Sequence, residues 1–581
     1  MKTKHHIIIA LALLALSTLS PQLSTCFAQG SLTPPGAPAP TMITLNQIEP
    51  RTPISSAPYS ITQPGSYYLT TNLTVTVGNV ISISANGVTV NLNGFTISTT
   101  GSGSYGIFLF GSEGYGIGNT DITISNGHIM GGFTGGISYN VTGGTPHNIR
   151  VTGVSVSGCE YYGIYLGTEN STVVESCTVN AVGGYGIQAS SVAHSTANLC
   201  GNTAIAADTA SDCYAYSTGS DGLVAVYAAN NCYGNSDSEG GIYVFGNANN
   251  CYGNTIGSGT GLTTFGSAAN CYGNSDSGVG LDAFGNAENC YGSSGSGTGI
   301  SVDQGNAINC YGNSSGGGYG LFAAGSAENC YGSSESGNGV SVAQGNAINC
   351  YGYSFGGGIG LSSGGSAENC YGNSTGGDGI YAAGNAINCY GISSDDIGLK
   401  SGGSAENCYG VCSTGTGLFA NTANNCSGTS GSGTGLIASY TATGCYGTSG
   451  SDDYDGLDAA TAINCYGYCT GTGTGFGLTA NTANNCYGQS SGGLFFASGL
   501  SAYVANNCWG YDTNSFGILV GASATGCYGY GYTGIVGFYE SCAIGCYGDG
   551  PSGSTGIDIY LANSCYSSSG DSSIANKYNM P

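Results

Sequence analysis

Asp395-Asp396 and Asp452-Asp453-Tyr454-Asp455-Gly456 are the two acidic clusters of note in the chain. Paired carboxyl groups cleave glycosidic bonds when they face each other across a sugar at about 5–9.5 Å. Asp453 and Asp455, followed by Gly456, also have part of the spacing of a calcium loop, but its other ligand positions are missing. Both clusters fall in Ser/Gly-rich turn sequence, so they read as solvated loop acids. His128, His147 and His194 are scattered singly, and His128, following Gly127, is expected to point outward. Arg150 would serve as a proton-abstracting base only if acids gathered beside it, and the nearby sequence offers few. No Ser-His-Asp spacing, P-loop or dinucleotide fingerprint is present. The residues therefore nominate no catalytic group, no metal site and no cofactor.

Charge narrows the partners. The 581 residues hold 6 Lys+Arg against 31 Asp+Glu, for a formal net charge of −25. Nucleic-acid binding needs clustered cations to neutralise phosphates. Beyond the N-terminal segment the only basic residues are Arg51, Arg150, Lys400 and Lys577, so nucleic acid and anionic membrane surfaces are disfavoured. Lys2 and Lys4 precede an apolar run, Ile7 to Leu16, and then small and polar residues up to Cys26-Phe27-Ala28. This pattern predicts a secretory signal peptide over 1–28. The run is shorter than the ~20 residues that a membrane-spanning helix needs, and no transmembrane segment is expected in the mature chain. Leu23-Ser24-Thr25-Cys26 is a poor lipobox, because Thr precedes the cysteine.

The 26 cysteines carry the strongest pattern. From Cys213 they recur at 232, 251, 271, 290, 310, 330, 350, 370, 389, 408, 426, 445, 465, 486, 508, 527, 546 and 565. Most belong to the motif Asn-Cys-Tyr-Gly. Zinc needs four converging ligands, and one cysteine per repeat does not supply them. Cysteines stacked in one column are also poorly oriented for disulfides. The reading is a column of buried thiols, with local bridges expected for the extra cysteines: Cys412 with Cys408, Cys469 with Cys465, and Cys542 with Cys546.

The elements that position these residues are short strands. Apolar and small residues alternate between Gly/Ser/Asn turns, with no helix-length apolar stripe. A strand-only repeat near twenty residues fits one coil of a parallel β-helix, in which stacking buries a narrow continuous core. The fold class expected is all-β, a right-handed parallel β-helix solenoid with coils of about twenty residues. Asn289, Asn309, Asn329, Asn349 and Asn369 precede the cysteines in a column that elsewhere holds Asp212, Gly444, Gly526, Gly545 and Ser564. Asn, Asp and Gly tolerate a left-handed backbone best, so the column is expected to be a corner with stacked amides. The corner turns Cys290, Cys310, Cys330, Cys350 and Cys370 inward and Tyr291, Tyr311, Tyr331, Tyr351 and Tyr371 outward. The tyrosines should form an aromatic ladder offering flat platforms to a carbohydrate or a protein partner, and Trp509 keeps a ring in the column.

Two N-terminal stretches, ITQPGSYYLTTNLTV at 61–75 and ISISANGVTVNLNGFTIS at 81–98, resemble the opening module of bacterial secreted right-handed parallel β-helix, pectate-lyase-like, repeat proteins. The repeated NNCYG and GTGL and the final NKYNMP are similar to the same group. The resemblance implies a right-handed coil and little about activity. It also brings in an alternative to a structural rod, a polysaccharide lyase or glycoside hydrolase with its site between 100 and 212. Lyases of that fold use calcium-binding carboxylates and a basic residue.

Residues 290–309 and 330–349 match at 16 of 20 positions, which points to duplication of a two-coil unit. Duplication preserves a surface, whereas an active site is a singular constellation. The expected organisation is a signal peptide (1–28), a Pro-rich leader (29–45), a cap with the first coils (46–120), irregular coils (121–212), regular coils (213–567) and a tail (568–581). The expected function is a secreted or cell-surface rod with a structural, adhesive or polymer-binding role. Its ligand would be a polysaccharide or another cell-surface polymer.

Overall fold

The computed structural model describes residues 51–579 apart from 112–116, 142–143, 494–495, 538–539, 553 and 569–570. The expected signal peptide and Pro-rich leader lie outside the described residues. From Thr52 onward the chain is all-β, with no helix among the described residues, and every strand pairing is parallel. It is a β-solenoid of about 25 turns, each of roughly 20 residues.

Each regular coil has three short strands on three faces. In one coil these are Leu281–Ala283, Ala287–Glu288 and Tyr291–Ser294, here called the Leu, Ala and Tyr faces. Each strand pairs with its counterpart one coil on, so that Leu281 meets Ile300, Ala287 meets Ala307 and Tyr291 meets Tyr311. Leu281, Ala283, Ala287 and Cys290 are all buried, as the alternation of a pleated strand requires. Gly292 lets two faces approach, since a Cβ there would collide with the Gly299 carbonyl oxygen and Ile300 Cγ1.

The corner before each cysteine is left-handed. Asn289, Asn309, Asn329, Asn349 and Asn369 have φ of 53°, 52°, 54°, 52° and 52°. Their amides form a ladder along the axis. Asn309 Nδ2 donates to Asn289 Oδ1 at 3.0 Å, and Asn329 and Asn349 repeat the bond at 3.1 and 3.0 Å. This ladder is solvent-exposed, so its main contribution is to the turn itself. The earlier coils use the same device at Asn126, with Ile122, Ile124 and Ile129 buried around it.

Candidate functional site

The cysteine column is interior. Cys290, Cys310, Cys330, Cys350 and Cys370 are 2–3 % exposed. Each Sγ donates to the carbonyl two residues back and to one in the coil below; Cys330, for example, reaches Glu328 O at 3.2 Å and Ala307 O at 3.4 Å. Neighbouring thiols and burial push Cys290 and Cys330 upward, and burial alone pushes Cys159 and Cys200 up to about 12. Hydrogen bonds between neighbouring thiols pull the alternate members Cys310 and Cys350 the other way, while burial disfavours the thiolate at every rung.

Every described cysteine is free, which overturns the expected local bridges. Cys412 and Cys469 end their Tyr-face strands, four residues after Cys408 and Cys465. Four residues of extended chain span about 13 Å, well beyond the ~7 Å at which a disulfide fails. Cys542 and Cys546 are separated by the left-handed corner at Gly545.

Cys412 and Cys469 belong instead to a second buried column, which sequence reasoning missed. It runs through Ser294, Ser314, Ser334, Ser354 and Ser374, the fourth residue after each cysteine. Ser334 Oγ donates to Gly318 O at 2.6 Å and accepts the Gly337 N–H at 2.9 Å, tying each turn to the coil below. Cys412 takes the same place, its Sγ donating to Asp396 O and accepting the Gly415 N–H. The signal was the fixed offset from cysteine inside what reads as a Ser/Gly turn.

Outside, the tyrosines stack. Ring centroids from Tyr291 through Tyr311, Tyr331 and Tyr351 to Tyr371 are 5.0, 4.6, 5.1 and 4.5 Å apart, with planes within 3–7° of parallel. The ladder runs from Tyr214 to Tyr409 with one step tilted by 40°, between Tyr371 and Tyr390, then skips Ser427 and resumes at Tyr446. Trp509 does not continue the stack, lying 54° from Tyr487 and 64° from Tyr528. Stacking at this spacing turns each ring face toward its neighbours. The expected flat platforms are therefore covered, and the exposed parts are ring edges and their hydroxyls.

The same face is uncharged over a long distance. From Tyr214–Ser217 to Tyr487–Ser490, fifteen successive Tyr-face strands contain no Asp, Glu, Lys or Arg. Their pairings show no register shift, as in Tyr272 with Tyr291 and Tyr351 with Tyr371. Charge lies at the margins. Glu288, Glu328, Glu368 and Glu406 are exposed on the Ala face, and Asp276, Glu335, Asp395 and Asp396 on the turns that follow Tyr-face strands.

The candidate acids and bases do not converge. Arg150 Nη1 donates to Glu175 Oε2 at 3.0 Å, with both side chains largely exposed. His128 is exposed, and His194 lies 3.6 Å from Asp212. Asp452 accepts the Thr472 N–H at 2.7 Å, while Asp455 accepts the Phe476 N–H at 2.9 Å and the Thr479 hydroxyl at 2.7 Å. These carboxylates tie one turn to the next, and burial raises Asp455 to about 6. Among the described residues no group of three or more His, Cys, Asp or Glu is placed to hold a metal.

Two shallow depressions lie in the early coils. One is lined by Asn126, His128, Ser155 and Thr178, on the face that later carries the tyrosines. The other is lined by Glu169, Ser191, Asp208 and Tyr227, where Asp208 Oδ2 accepts the Glu169 N–H at 2.7 Å. No helix among the described residues is long and apolar enough to cross a membrane.

No family model and no curated protein matches the chain. Among solved structures, the A-module of an Azotobacter vinelandii mannuronan C-5 epimerase, AlgE6, is similar at 12% identity, over 76% of this chain and 91% of that one. Its TM-score is 0.19, too loose a superposition to bear on fold or activity here.

Proposed function

We propose that the chain is a secreted or cell-surface solenoid rod that binds an extended polysaccharide along its Tyr face. The observation that carries this reading is the uncharged run of stacked tyrosines from Tyr214 to Tyr409 on a chain of net charge −25. Phenol hydroxyls donate and accept, and so match sugar hydroxyls without presenting charge. Identical rungs add small contributions, and engaging many at once converts weak contacts into retention.

The test replaces Tyr291, Tyr311, Tyr331, Tyr351 and Tyr371 with Ala, singly and together, in pull-downs on purified cell-wall polysaccharide. One substitution is expected to change retention little, and all five to reduce it strongly while the fold persists by circular dichroism. Unchanged retention with a lowered melting temperature would leave the rings as packing between coils and reject the reading.

A further inference from the structure

Resting on that reading, we infer that the ligand is an uncharged polysaccharide in a packed, insoluble sheet, not a single soluble chain and not a polyuronate. Three features of the Tyr face lead there.

The first is charge. Glu288, Glu328, Glu368 and Glu406 flank the face on one side of the corner, and Asp276, Glu335, Asp395 and Asp396 on the other. A polyanion lying on the tyrosines would run between two acidic margins. Repulsion acts over a Debye length of about 8 Å at physiological salt, which reaches from the margins into the face. An uncharged polymer meets no such barrier.

The second is shape. Single ligands bind in clefts that cover most of their surface, ~70–90 % for a small molecule. The backbone of the Tyr face raises no wall, since its strands keep register from Tyr214 to Ser490 with no bulge; beside the rings the second outward column is mostly Ser, Asn and Thr, with isolated larger residues such as Tyr353 and Tyr468. Its rings are mutually stacked, so a lone sugar ring cannot lie on an aromatic face. A single chain would touch the array along one side only.

The third is extent. Fifteen rungs at ~4.8 Å span roughly 65 Å, and a four-residue strand is about 13 Å wide. The product is on the order of 900 Å² on the protein side, comparable to one partner's share of a standard stable interface. A flat ligand surface can use all of that area; a narrow chain cannot. A second copy of this protein would also be flat, but each copy has net charge −25 and pairing would bring the acidic margins together.

The experiment uses the full chain with microcrystalline cellulose as the insoluble uncharged probe, hydroxyethyl cellulose as the soluble one and polygalacturonate as the anionic one. A second variant, Tyr311→Glu with Tyr351→Glu, places charge on the face and keeps the other rings. Retention on cellulose is expected to be insensitive to salt. It should fall at least about tenfold in the charged variant, a loss corresponding to ~1.4 kcal/mol. The soluble glucan should compete at least ~100-fold more weakly, as the loss of multivalent engagement predicts. Competition by the soluble glucan at equal mass, or binding to polygalacturonate that the charged variant loses, would overturn the inference and leave the polysaccharide reading standing. Dimers in sedimentation that the charged variant dissolves, with no retention on any probe, would overturn both in favour of self-pairing. Retention unaffected by either variant would also overturn both.

Discussion

One inward column of the Ala face changes residue size without changing place. It runs Val90, Ile124, Val151, Val174, Val192 and then Ala210, Ala229, Ala248 and Ala268, each paired with the next. On the Tyr face the outward column changes with it, from Thr96, His128, Ser155, Thr178 and Thr196 to Tyr214 and Tyr233. On the Tyr face a register shift falls between Ala197 and Cys200 in the early coils, and none follows from Tyr214 to Ser490. Shifts persist elsewhere in both regions, between Thr145 and His147 early and between Ala438 and Thr441 late. The even outer array therefore accompanies the small interior on this face alone. A rigid stack of tyrosines needs rungs that repeat at constant height.

The two regions should differ in what a truncated core side chain costs. Ile124→Ala should leave a cavity in a fully buried site and destabilise by about 2–5 kcal/mol. Ala327→Gly, on the same face of a regular coil, removes one methyl and should cost about 0.5–1 kcal/mol. Urea melts of both variants check this. Equal losses would mean that the later coils are not held mainly by close backbone packing.

Asp512 sharpens the contrast from the other side, because it stands where the serine column ends. It pairs with Ser490, is 0% exposed, and uses Oδ1 to accept the Asn514 and Ser515 N–H groups. Oδ2 has no partner. An ionised carboxylate cannot donate to the coil below as serine does. Burial, opposed by those N–H groups, raises Asp512 to about 6. A raised carboxyl favours the neutral form in the fold. Its stabilisation is therefore complete below the unfolded value near 3.9 and is lost as pH rises through about 6. Two units correspond to about 3 kcal/mol. Asp512→Ser should accordingly be the more stable protein at neutral pH, with the advantage shrinking as pH falls through about 6 to 4. Thermal melting across that range checks the sign, and an advantage that grew on acidification would refute it.

Much of this architecture was legible because one column betrays it. Asn289 and its equivalents fix a left-handed corner, and the corner sets which side Cys290 and Tyr291 face. The serine column was hidden because serine is at home both in turns and in a small core, so its role depends on position and not on type. The bridges expected at Cys408 and Cys412 failed for a metric reason: neighbours in sequence are far apart along an extended strand. Asp208 and Glu169 meet only because a loop folds across an intervening coil, and no local pattern announces that. Neither composition nor period reveals that ring faces are covered. That follows from the 4.5–5.1 Å spacing of the rings, which only the coil height sets.

The smallest effect tests the ladder itself. Ser427 is half-buried on the Tyr face and pairs with Tyr409 below and Tyr446 above, so one ring is missing between two runs of the ladder. The backbone there is regular: the Ser427 N–H donates to Cys408 O at 2.9 Å, as Tyr446 does to Cys426 O. Ser427→Tyr would place a ring between two neighbours at the separations found elsewhere, about one rung from each. Stacked aromatic pairs contribute roughly 0.5–1.5 kcal/mol beyond their buried area. Tyrosine loses more rotamer freedom than serine when it is held in place, which offsets part of that gain. The net expectation is a stabilisation of about 0.5–1 kcal/mol, read as a small rise in melting temperature. Ser427→Leu separates stacking from simple burial, since it adds apolar area without a ring. If tyrosine and leucine raised stability equally, the ladder would be a row of shielding side chains with no specific ring contact. A rise confined to tyrosine would make the Tyr face one cooperative array from Tyr214 to Tyr487.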